Sequence, residues 1–226
     1  MQKKGIKGKD AFMKAYSHLV FDIDGTLIDT VKIHMISLER TLKKYWGADA
    51  KLPDLRFSFG IPGTATMETL KFADPAEAHR EWEKEYLACA KEVPGQLFPG
   101  MKETLEKLKG TEISMGIITS KTRSEYEEDF RGRGLGEYFT CVVTSTDTER
   151  GKPFPEPMLE YLKQTGAKPG EVLYLGDSVH DMACARAAGV DHALVLWGSL
   201  MPEGIEADYR LERPEEIPGF VKECRG

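Results

Sequence analysis

A short apolar run at residues 17–23 stops abruptly in acids, the pattern of a buried strand that ends at a polar edge. It predicts a first strand finishing at Asp22. The period then changes: Val31, Met35, Leu38, Leu42 and Tyr45 recur at helical spacing, with Thr30 placed as a cap and Gly47 just past the end. Two further helical patterns follow, one starting near Thr64 and one over residues 75–91 that carries Trp82 and Tyr86 on one face. No strand pattern is evident between Thr30 and Val93.

Turn formers concentrate at residues 93–100, Val-Pro-Gly-Gln-Leu-Phe-Pro-Gly, as in a linker or hinge. Beyond them strands and helices alternate. Helices are predicted over 101–109, 124–130, 157–164 and after Asp181, and strands over 113–118, 139–143, 172–175 and 193–197. Strands that are almost continuously apolar and separated by helices indicate a parallel sheet covered on both faces. The predicted fold class is α/β: a doubly wound parallel sheet, residues 1–29 and 99–226, with an all-helical insert at 30–98.

With 226 residues, 41% hydrophobic and 30% charged, the chain has the composition of a globular protein, and no apolar run is long enough to span a bilayer. Its net charge of −6 argues against a nucleic-acid binder, whose affinity for phosphate backbones comes from dense lysine and arginine. Cys89, Cys141, Cys184 and Cys224 show no paired spacing, so neither a disulfide framework nor a zinc site is signalled, and a cytoplasmic location fits. The lysine-rich residues 1–14 lack the apolar stretch of a secretory signal and read as a solvated tail. Oligomeric state is left open.

Ligands of open parallel sheets bind beyond the carboxyl ends of the strands. The residues predicted there are consistent with one another: Asp22 and Asp24 after the first strand, Thr119, Ser120 and Lys121 after the second, Lys152 in a Gly-Lys-Pro loop after the third, and Asp177, Ser178 and Asp181 after the fourth. Acids packed this closely repel one another unless a cation sits among them, and an all-oxygen set selects magnesium over zinc or copper. Magnesium commonly shares its shell with substrate phosphate, so phosphoryl transfer is the natural reaction class.

Asp22-Ile23-Asp24-Gly25-Thr26-Leu27-Ile28-Asp29-Thr30, Thr119-Ser120, Gly151-Lys152-Pro153 and Gly176-Asp177-Ser178-Val179-His180-Asp181 resemble the four ordered motifs of the haloacid dehalogenase-like hydrolases. The insert between the first two motifs is similar to the small helical cap of the branch that includes phosphoglycolate phosphatases and β-phosphoglucomutase. The resemblance implies that Asp22 is the nucleophile and forms an aspartyl-phosphate, and that Asp24 is the general acid and then the base. It implies that Mg2+ is held by Asp22, the backbone carbonyl of Asp24 and Asp177, with Asp181 supporting or joining that shell. Thr119, Ser120, Lys152 and Gly25 form the implied substrate-binding set, with Lys152 also catalytic through charge neutralisation.

The implied activity is hydrolysis of a small phosphorylated metabolite. Thr26 after Gly25 matches the phosphatase version of the first motif, a sugar phosphomutase is the alternative, and an inactive binding module with this fold is a third reading. Arg56 and Lys121 are candidate substrate contacts. His180 reads as a solvated position in the first helical turn, His34 as a surface helix position with the cleft as its alternative, and the Trp82 and Tyr86 stripe as packing within the insert. The insert itself makes sense as a lid that closes over Asp22 and excludes water during attack.

Overall fold

The structure is a computed structural model that describes residues 15–58, 63–93 and 95–221. The lysine-rich tail, Pro94 of the hinge and Cys224 lie outside them. A six-stranded, all-parallel sheet is built from β1 (His18–Phe21), β4 (Ser114–Ile118), β5 (Cys141–Val143), β6 (Val172–Gly176), β7 (Asp191–Val195) and β8 (Tyr209–Leu211) in the order β5-β4-β1-β6-β7-β8. The chain leaves β1 for one side of the sheet and later returns to the other, so β1 sits at the reversal of strand order where such sheets open a crevice.

Alternation along β1 explains its unbroken apolar run. Leu19 and Phe21 pack into one core with Met115, Ile117, Leu173 and Leu175, while Val20 packs into another with Ile118, Tyr174, Met158 and Tyr161. Both faces are therefore covered, the second by α6 (Glu156–Thr165) and α7 (Val179–Ala187). Phe21 is level with Ile117 on one neighbour and Leu175 on the other. That register brings Asp22, Thr119 and Asp177 to the same edge of the sheet.

Among the described residues, Thr30 to Val93 hold only helices and turns: α1 (Val31–Trp46), a 3-10 turn at Leu55–Ser58, α2 (Gly63–Thr69) and α3 (Pro75–Glu92). They share a small core of Leu38, Leu42, Leu55, Met67, Ala78 and Trp82. The helical stripe predicted for α1 is only partly buried, since Tyr45 is exposed. Thr30 does not cap α1. Its side chain makes no capping bond, and Asp29 Oδ1 accepts from the Val31 N–H at 3.1 Å instead.

Where the sequence suggested plain linkers, β2 (Ile28–Asp29) and β3 (Gln96–Leu97) pair as a short antiparallel ribbon. The two crossings between core and cap are thus tied to each other. α4 (Met101–Lys109) follows. The predicted helix at 124–130 is α-helical only at α5 (Arg123–Glu125) and continues as a π turn. α7 begins at Val179 and so includes Asp181 rather than following it. β8 and the 3-10 segment Pro214–Phe220 carry no clear pattern in the sequence; the latter buries Ile217 and Phe220 in the first core.

Candidate active site

Asp22 directly follows β1 and is almost fully buried. Lys152 Nζ lies 3.0 Å from its Oδ1 and 2.7 Å from Oδ1 of Asp181, and the lysine side chain is only 6% exposed. This rules out a solvated loop lysine. A buried ammonium between two carboxylates is retained where it is paired on several sides, and here Asp22 and Asp181 outweigh the burial that disfavours its charge.

Asp181 is fully buried and takes four donors: Lys152 Nζ and the Tyr174 hydroxyl on Oδ1, and the Ser178 N–H and hydroxyl on Oδ2. Ser178 in return caps α7 by accepting from the Asp181 N–H. Burial works to raise the Asp181 carboxyl, but Lys152, Ser178 and Tyr174 more than offset it and hold it below the usual range. Its acceptor capacity is already filled.

Asp22 and Asp177 behave oppositely. Burial and the neighbouring acids outweigh Lys152 and push Asp22 up to about 7. Burial, Asp181 and Asp22 raise Asp177 well above its ordinary value, outweighing Lys152 and a backbone hydrogen bond, and the Thr26 hydroxyl lies 3.5 Å from its Oδ1. Carboxylate oxygens of Asp22, Asp177 and Asp181 lie within 4.8 Å of one another. Two raised acids, Asp22 and Asp177, in an all-oxygen cluster fit a hard divalent cation, which would relieve their repulsion.

Asp24 stands apart. Its side chain is 34% exposed and lies outside that cluster, with Lys121 Nζ 3.3 Å from Oδ2. Between the two acids and Asp177 the chain must turn sharply: Gly25 has φ +78°, and a Cβ there would strike the Asp177 carboxyl. Gly166 has φ +71° with nothing near the added carbon, so it isolates the backbone cost. Gly166→Ala is expected to lose about 1 to 3 kcal/mol by strain alone. Gly25→Ala should lose more in thermal unfolding and also weaken Mg2+ binding in a titration, because it displaces Asp177.

The acids open into a cavity of about 490 Å³ between core and cap, lined on the core side by Asp22, Asp24, Ser120, Lys121, Lys152 and Asp177. Thr119 is buried at the end of β4, where its Oγ1 accepts from the Lys121 N–H at 3.2 Å, and it is not part of the cavity wall. The cap contributes His34, Ser58, His79, Trp82, Glu83 and Tyr86.

Three expectations change here. His34 is not a surface residue: its ring bonds Ser58 Oγ at 2.7 Å, and burial lowers it to about 4. His180 also lines the cavity, half-buried, with its Nε2 enclosed and, among the described residues, without a partner. Trp82 does pack within the cap, but Tyr86, four residues on, reaches the Asp24 carboxylate with its hydroxyl at 3.3 Å. Lys121 lines the cavity, whereas Arg56 is exposed and paired with Asp54 away from it. Missed altogether were Ser145 in the wall and Trp197, whose Nε1 donates to the Thr26 carbonyl at 2.9 Å and so braces the turn after Asp22.

A buried lysine bridging two acids at the carboxyl edge of a parallel sheet, beneath a helical cap, defines a capped α/β hydrolase site. The sequence profile of the haloacid dehalogenase-like hydrolases matches residues 19–195, and the chain belongs to that family. A pyrophosphatase PpaX from Bacillus velezensis is 32% identical over 210 residues, covering 90% of this chain and 95% of its own. Among solved structures, a candidate phosphoglycolate phosphatase from Lactobacillus plantarum is 28% identical with a TM-score of 0.81, covering 92% of this chain and all of its own. A candidate β-phosphoglucomutase from Thermotoga maritima is 27% identical with a TM-score of 0.67, over 89% of this chain and 96% of its own.

Proposed function

We propose that this chain is a magnesium-dependent phosphatase of small phosphorylated metabolites, working through a phosphoryl group carried on Asp22. The observation that carries the reading is the Asp22–Lys152–Asp181 bridge with Asp177 beside it, opening into the cavity under the cap.

An Asp22 carboxylate oxygen attacks phosphorus and forms a new P–O bond as the bond to the leaving oxygen breaks; Asp24 gives that oxygen its proton. A water then attacks the same phosphorus, Asp24 takes its proton, and the bond to Asp22 breaks to release phosphate. Splitting the reaction gives two easier steps. Lys152 keeps charge balanced beside Asp22 throughout, Ser120 in the cavity wall supplies a donor to the phosphoryl oxygens, and Thr119 behind it holds the loop through the Lys121 N–H. Mg2+ would be held by Asp22, the Asp24 carbonyl and Asp177, and when bound it neutralises the acids and draws charge from the phosphoryl oxygens. Asp181, with its acceptors already filled, supports this set from behind.

Inorganic pyrophosphate is the first substrate to test, given the relatives named pyrophosphatase PpaX, and phosphoglycolate the second. The same relatives favour water as the acceptor over a second sugar hydroxyl. A cytoplasmic location belongs to the same proposal, consistent with the free thiols of Cys89, Cys141 and Cys184; among the described residues no helix is long and apolar enough to cross a membrane. Phosphate release from a panel of phosphorylated metabolites tests the function. Chelator should abolish release and added Mg2+ should restore it, while turnover that persists in chelator would sink the metal-dependent reading.

A further inference from the structure

Tyr86 stands on α3 of the cap, yet its hydroxyl donates to Oδ1 of Asp24 at 3.3 Å. On the other carboxylate oxygen, Lys121 Nζ lies 3.3 Å from Oδ2, and the same ammonium sits 5.4 Å from the centroid of the Tyr86 ring. Each of the three groups therefore touches the other two. Asp24 follows β1, Lys121 follows β4 and Tyr86 comes from the cap, so the triangle spans the seam between core and cap. Lys121 is only 8% exposed, and an ammonium held out of water to that degree needs a carboxylate and a ring face close by.

We propose that Tyr86 is a positioning residue for Asp24, and that seating the cap completes the acid–base group. The proposal rests on the acid–base role given to Asp24 above. A lone aspartate at the mouth of a cavity can turn about two side-chain bonds. Gripped on Oδ2 from the core and on Oδ1 from the cap, it holds one orientation toward the leaving oxygen. When the cap moves away Tyr86 leaves with it, and of these two grips Asp24 keeps the one from Lys121. Proton transfer is thereby tied to a covered site, where a wandering water is least able to take the nucleophile's phosphoryl group early. No residue of the core alone could make that link.

Tyr86→Phe removes the hydroxyl and leaves the ring, so the cap core and the contact with Lys121 persist. The expected result is a fall in kcat of about 10- to 100-fold, the range for losing one hydrogen bond to a charged group, with the protein still folded at the assay temperature. KM should hold within about threefold, because the lost interaction orients the acid rather than the substrate. In an Asp24→Asn background the same substitution should cost nothing further, since the group it orients no longer acts. A raised KM with kcat intact would make Tyr86 a substrate contact and overturn the proposal. So would a kcat loss that multiplies with that of Asp24→Asn. If Asp24→Asn itself kept full kcat, the acid–base reading would fall first and the positioning role with it.

Discussion

Asp22→Asn is expected to reduce phosphate release by at least ~10⁴-fold in kcat while making the metal-free protein more stable above neutral pH. The two effects have one cause. The site holds Asp22 where burial and neighbouring acids disfavour its charge, raising it from an ordinary 3.8 to about 7. A folded state that raises an acid's pKa binds its proton more tightly than the unfolded chain does. That stabilisation is fully present below the unfolded value and is lost as pH rises through about 7.

Metal-free protein should therefore show a melting temperature that drops between about pH 5 and pH 8, by an amount on the order of 2 to 4 kcal/mol in stability. Asparagine at position 22 carries no charge and should shrink that drop, with Asp177, raised in the same direction, keeping part of it, and added Mg2+ should lift the parent's melting temperature at pH 8. Asp181 works with the opposite sign: it is held below its usual range, so its contribution is present at neutral pH and is lost in acid. It cannot produce the drop near neutrality. A profile that is flat from pH 5 to 8, or an Asp22→Asn protein less stable than its parent at pH 8, would remove the argument that burial strains Asp22.

The sheet and the acids were legible because they follow rules that act over a few residues. An apolar run ending in Asp22, and others ending in Thr119 and Gly176, announce buried strands and the polar edge where they stop. The Asp29 cap, the β2–β3 ribbon and β8 were not legible. The ribbon strands are only two residues long and β8 three, below the length at which a period can be counted, and the ribbon depends on Ile28 meeting the distant Leu97. The same limit hid the role of Tyr86. At helical spacing from Trp82 it reads as one more packing residue, and only the placement of the cap over the core separates the two. His34 shows the converse error: a polar residue on an amphipathic helix reads as solvated, but its partner Ser58 comes from a separate turn of the cap. The core-side residues of the site are legible where a strand end fixes them; the cap-side residues depend on how two units meet.

Asp24→Asn should separate the two halves of the reaction. Asp24 is the acid best placed to move protons, because it is partly exposed at the cavity and stands outside the Asp22, Asp177 and Asp181 cluster that suits the metal. Loss of a positioned general acid or base typically costs about 10² to 10⁴ in rate. An alkyl phosphate, whose leaving oxygen needs a proton, should suffer in the first step. p-Nitrophenyl phosphate releases a stable phenolate and should pass that step nearly unaided. The second step has no such escape, since the attacking water must lose a proton whichever leaving group has gone. With p-nitrophenyl phosphate the Asp24→Asn protein should therefore release close to one nitrophenolate per site in a burst and then stall, carrying a phosphoryl group on Asp22 that intact mass measurement detects. With the alkyl substrate no burst should occur. Equal losses for both substrates without any burst would show that Asp24 serves neither step as a proton carrier, and would reduce it to a structural partner of Lys121 and Tyr86.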